Sequence, residues 1–181
     1  MANTGELNVP MIQEIQKAIA SDYASFDMTS WHTRKSQDEL YRECGTCFCI
    51  GGYAILLSAT KPELIAGKPL DSEIQEYINA IQTVKTNYSI LNSDVALTAR
   101  TAAHILGIQD SKESYSALFS VNHWPGPFKT QYEQATQDIE RWQRDRAFDP
   151  DLTTIEQGRK FLETRARVAI ARLQYLIDNN K

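Results

Sequence analysis

The chain has 181 residues, a formal net charge of −4, 42% apolar and 23% charged residues, enough length and apolar content for a single substantial core. The acidic balance excludes a general nucleic-acid binder, whose footprint is basic. That charge is uneven, net −5 from Met1 to Pro127 and net +1 from Phe128 to Lys181, which leaves room for a local basic face on the C-terminal elements.

Helical periodicity dominates the chain order. Asn8 is a candidate N-cap and Pro10 suits a first turn, after which Ile12, Ile15 and Ile19 predict a short amphipathic helix ending near Asp22. "SFDMTSWHTRKSQDE" has no helical period and reads as an ordered loop or extended piece anchored by Phe26, Met28 and Trp31. Tyr41 to Thr60 predicts a turn at Cys44-Gly45-Thr46 and then a buried helix, which Lys61-Pro62 stops. Residues 61–70 read as an internal linker with a second break at Pro69.

From Asp71, the residues Ile74, Tyr77, Ile78, Ile81 and Val84 form one apolar stripe. The next helix, "SDVALTARTAAHILG", has Ser93 as its cap, Ile105 and Leu106 on its face, and Gly107 as its stop. "DSKESYSALFS" predicts a short helix with Tyr115, Leu118 and Phe119 inward, and "NHWPGPF" a rigid turn. Phe128, Tyr132, Ala135, Ile139 and Trp142 then mark a long helix to about Arg146. In the last segment Thr153 and Glu156 fit a capping box, and Leu162, Ala166, Ala169, Leu173 and Leu176 form a heptad-like seam. The fold expected is all-α, one compact domain over residues 1–181 with about six or seven helices and a long C-terminal helix pair. A homo-oligomer is expected through the last helix's seam.

All three cysteines, Cys44, Cys47 and Cys49, fall within six residues. Three thiolates with a histidine are a conceivable zinc set, but structural zinc sites are usually built from two separated ligand pairs. Cys44 as a nucleophile would need a histidine brought alongside it. The reading preferred is that the cysteines are small hydrophobes packed at the head of a helix, with no metal and no cofactor. An odd, clustered set also argues against a disulfide framework. With no basic-then-apolar leader and no apolar run beyond about a dozen residues, neither a signal peptide nor a membrane span is expected, and the setting is cytoplasmic.

Four blocks, "FDMTSWH", "CGTCFCIGGYAI", "TAAHILGI" and "LFSVNHWPGPFKTQY", resemble a group of small proteins of phages, prophages and bacteria, cyanobacteria among them. The group pattern runs F-D-M-x-x-W, C-G-T-x-x-C-I-x-G-W-A, A-x-x-x-L-G-I, L-F and W-P-x-x-F, with Tyr53 here where the group commonly has tryptophan. The resemblance covers roughly Phe26 to Tyr132 and implies a genomic origin and a fold, with no reaction to transfer. On this pattern Cys47 is the dispensable cysteine.

Neither G-x-x-x-x-G-K-[ST], G-x-G-x-x-G nor a His-Glu-x-x-His helix occurs. The candidate ligand-binding residues are Trp31, His32, Arg34, His123, Trp124 and Arg141. The tryptophans offer faces for a ring, and the histidines and arginines offer donors to phosphate or carbonyl oxygen. The opposing reading makes both tryptophans core anchors. Arginines 141, 144, 146, 159, 165, 167 and 172, with Lys160, outline the basic side of the last two helices. The function expected is a non-enzymatic binding protein of phage type that captures a host protein or a small anionic, nucleotide-like signal, with counter-defence as its role. The competing reading is a small cysteine- or metal-dependent hydrolase using Cys44 with a histidine.

Overall fold

Asn8 sets where the first helix begins. Its Oδ1 accepts the Met11 N–H at 3.3 Å, and helix α1 runs from Val9 to Ser21 with Pro10 in its first turn. Met11, Ile12, Ile15 and Ile19 are fully buried along one stripe. The same asparagine is itself buried, and its Nδ2 donates to the carbonyls of Leu64 and Ile105, both at 3.0 Å. One side chain thus caps a helix and ties it to two distant segments.

The computed structural model describes residues 6–28, 32–34, 46–83, 95–108 and 118–179, with 32–34, 46–48 and Val95 described through their backbone. The expectations for Trp31, Tyr115, Ser93, Val84 and Cys44 lie outside the described residues. After α1 the chain makes a 3₁₀ turn at Tyr23–Ser25, and Phe26 is fully buried. The irregular segment then contributes strand β1, His32–Arg34, which pairs antiparallel with β2, Thr46–Phe48, in the register Thr33 to Cys47. The turn expected to end at Thr46 therefore gives way there to a strand. A partner strand a dozen residues upstream supplies its hydrogen bonds, and local periodicity carries no trace of such a pairing.

Helix α2 spans Ile50–Thr60, with Cys49 as N-cap and Lys61-Pro62 ending it. Gly51 and Gly52 stand in its first turn, both buried, so neither interrupts a helix interior. Residues 61–70 join α2 to helix α3, Ser72–Thr83, but they are pinned along the way. Pro62–Ile65 is a 3₁₀ turn with Ile65 buried, and Pro69 O lies 2.8 Å from His104 Nε2. On α3, Ile74, Tyr77, Ile78 and Ile81 are buried as the stripe predicts, and Tyr77 shares a 2.6 Å hydroxyl contact with Thr98 on helix α4, Val95–Leu106.

Gly107 ends α4 with φ +73°. The Gly107 N–H donates to His104 O at 3.1 Å and the Ile108 N–H to Ala103 O at 2.9 Å, the paired bonds of a Schellman close. A Cβ here would come within 1.9 Å of Glu6 O on the segment leading into α1. Gly107→Ala is therefore expected to cost about 1–2 kcal/mol from the left-handed backbone alone, and more from the clash. Urea unfolding followed by circular dichroism checks it, with Gly126→Ala, where added atoms meet open space, as the comparison.

Helix α5, Gly126–Phe148, and helix α6, Ile155–Asn179, form an antiparallel hairpin packed along its length. Tyr132, Ala135, Ile139 and Trp142 are buried on α5. The capping box falls one residue later than Thr153/Glu156: Thr154 Oγ1 accepts the Gln157 N–H at 3.2 Å, and Gln157 Oε1 accepts the Thr154 N–H at 2.9 Å. The sequence "TTIEQ" allows both registers. The later one leaves Thr154 O to accept the Trp142 indole N–H at 2.8 Å.

Leu162, Ala166, Ala169 and Leu173 are all at most 1% exposed, enclosed by the chain's own α1 and α5. From Leu162 to Leu173 the heptad-like seam is thus core, and these four positions offer no surface to a second copy, while Leu176 at its end is half-buried. On the basic side of the hairpin, Arg165 and Arg172 are buried and so leave that surface, Arg167 and Lys160 pair with Glu163 and Glu156 on their own helix, and Arg141, Arg144 and Arg159 are exposed.

Candidate functional site

Tyr132 is the centre around which several sequence blocks meet. Its ring stands edge-on to Phe26, centroids 6.3 Å apart, and to Trp124 at 5.3 Å. Its hydroxyl accepts the Met28 N–H at 3.1 Å, and burial pushes the phenol above its ordinary pKa. Behind it the Arg165 guanidinium lies 6.0 Å from the ring centroid, donates to Phe26 O at 2.7 Å, and stands 3.7 Å from the Asp27 carboxylate. Asp27 is 2% exposed and Arg165 is 3% exposed. A buried ion pair therefore fixes Phe26-Asp27-Met28 to α6, in a place where the sequence suggested only an apolar anchor.

In front of this assembly is an open cleft of about 540 Å³, between the turn that holds Phe119 to Asn122 and one flank of α5. Met28, Phe119, Val121 and Tyr132 give it an apolar floor. Glu133, Thr136, Gln137 and Glu140 form its helical wall, and Ser120 and Asn122 complete the opposite rim. The four α5 residues recur at i, i+3, i+4 and i+7, a face beside the buried stripe. Thr136 spends its hydroxyl proton on Tyr132 O at 2.9 Å, and Glu133 reaches Lys129 only at 3.8 Å with both side chains partly exposed. Among the described lining residues the only charges are carboxylates.

Of the residues expected to bind ligand, His123, Trp124 and Arg141 are described with their side chains, and His32 and Arg34 through their backbone. Trp124 is 4% exposed, and its indole N–H donates to Leu118 O at 3.1 Å. It is a core anchor, corrected from a stacking platform, because a ring with both faces packed has none to offer a ligand. His123 is exposed in the 3₁₀ turn Val121–His123, one residue beyond Asn122 of the cleft rim. Arg141 is exposed on α5 and lies 3.9 Å from Asp138 on the same helix. His32 and Arg34 are neighbours in β1, opposite Phe48 and Thr46.

Sequence reasoning missed the whole cleft wall. The signal available was the run Glu133, Thr136, Gln137, Glu140, polar at helical spacing next to an aromatic turn.

Cys49 is buried, free, and accepts the Gly52 N–H on its sulfur at 3.4 Å. Burial, the largest influence, pushes its pKa from 9.0 up to about 12. The folded state thus holds this proton more tightly than the unfolded chain does. The associated stability is fully present below about pH 9 and is lost as pH rises toward 12. With Cys44 and Cys47 changed to serine, Cys49 is expected to stay silent to a disulfide reagent at pH 8 and to react once urea unfolds the chain. Rapid reaction of the native protein would contradict its burial. Among the described residues no three His, Cys, Asp or Glu side chains gather as a metal site requires, and no helix is long and apolar enough to cross a membrane. No protein-family model, curated protein or solved structure matches the chain.

Proposed function

We propose that the chain is a non-enzymatic binding protein of phage or prophage type, acting in the cytoplasm, that captures a host protein through the cleft between the Phe119–Asn122 turn and α5. The observation carrying this reading is the cleft's construction: an apolar floor held from behind by a buried ion pair, and a polar rim in front. A floor fixed in this way is preorganised, so a partner meets it with little ordering cost. Two wall carboxylates make the cleft unfavourable for the small anionic ligand that the sequence also suggested, which favours the protein partner.

A photo-crosslinking amino acid at Gln137, on the wall, is expected to give discrete protein adducts in host cells. The same group at Arg159, exposed on α6, serves as the control. Absence of adducts from position 137, or the same adducts from both positions, would overturn the reading. A thermal-shift panel of cyclic and ADP-ribose-type nucleotides is expected to be flat. A nucleotide that raises the melting temperature would return the small anionic signal to first place.

A further inference from the structure

The cleft's charge and shape specify more than a generic protein surface. Glu133 and Glu140 stand seven residues apart on α5, and at about 1.5 Å per residue their backbones are separated by about 10 Å along the helix axis. Met28, Phe119, Val121 and Tyr132 line the same cleft. No lysine, arginine or histidine is among the described lining residues. Lys129, one turn earlier on α5, holds Glu133 at 3.8 Å with both side chains about 40% exposed, an ion pair weak enough to exchange for a better one.

We infer that the occupant is a basic amphipathic segment of the partner protein, with two lysine or arginine side chains meeting Glu133 and Glu140 and an apolar side chain between them on the Met28–Phe119–Val121–Tyr132 floor. The interval of about 10 Å matches basic residues at i and i+7 of a helix, which share one face. Ser120, Asn122, Thr136 and Gln137 supply the polar rim around that anchor. An acidic segment would place like charges opposite the wall. A purely polar basic one would leave the floor uncovered.

The inference rests on the cleft being the binding site, and the test separates the two. Three fluorescent twelve-residue peptides are titrated by anisotropy against the full chain: lysine/leucine, lysine/serine and glutamate/leucine, each of the same pattern. The lysine/leucine peptide is expected to bind at least tenfold tighter than either other. Glu133→Gln/Glu140→Gln should weaken it at least tenfold, and rising salt should weaken it further. The same neutralisation at Glu156 and Glu163, respectively exposed and half-buried on α6, is expected to change affinity less than twofold. Equal binding of the glutamate/leucine or lysine/serine peptide at the cleft would overturn the basic amphipathic assignment and leave the cleft a binding site. Binding insensitive to the Glu133/Glu140 variant, or no binding by any peptide, would overturn both.

Discussion

Asp27→Ala is expected to lower the stability of the fold by about 3–5 kcal/mol, the loss that follows when one member of a buried ion pair is removed. The side chains of Asp27 and Arg165 are only 2% and 4% exposed, so the guanidinium left behind has little water to turn to. Arg165→Met alone is expected to be similarly damaging, since it removes the cation 3.7 Å from the buried carboxylate and also ends the 2.7 Å bond to Phe26 O. The double variant Asp27→Leu/Arg165→Met is expected to regain much of the loss, because apolar side chains of similar volume carry no desolvation penalty. Glu163→Gln, which disturbs the exposed partner of Arg167, should cost less than about 1 kcal/mol. Urea unfolding gives all four values. A cost below about 1 kcal/mol for Asp27→Ala would mean that the pair does not hold the Phe26–Met28 segment to α6.

Trp124→Ala is expected to be comparably severe, about 3–5 kcal/mol, from lost burial and the cavity left behind. The ring packs on Tyr132 and its N–H is committed to Leu118 O, so the variant loosens both the floor and the turn of the cleft. Trp124→Phe keeps most of the packing and should lose less. His123→Ala, one residue earlier and exposed, is expected to stay within about 0.5 kcal/mol of the parent. The contrast decides between anchor and ligand platform: a tryptophan kept for binding would tolerate alanine with little loss of stability.

Elements set by local chemistry were legible in the residues. Asn8 with Pro10 marked the start of α1, Gly107 the end of α4, and the four-three spacing from Leu162 the buried face of α6. What escaped were features that depend on where a segment goes in space. The pairing of Thr33 with Cys47 needs a partner strand that no local window contains. Arginine normally marks a solvated face, so residue type alone points Arg165 and Arg172 to the surface. Yet both directly precede or adjoin seam positions, Ala166 and Leu173, and stand seven residues apart, which places them at the edge of the buried stripe. The tryptophan-histidine turn borders the cleft, with His123 directly after Asn122 of its rim. Trp124 faces inward, and the exposed chemistry belongs to α5, whose polar spacing resembles that of any amphipathic helix.

Amide NMR of the isotopically labelled chain, titrated with the lysine/leucine peptide, locates the interaction most directly. The account places the shifted resonances at Phe119 to Asn122 and Glu133 to Glu140, with the exposed α6 face from Glu156 to Glu163 unmoved. Shifts spread over both helices, or confined to α6, would contradict it.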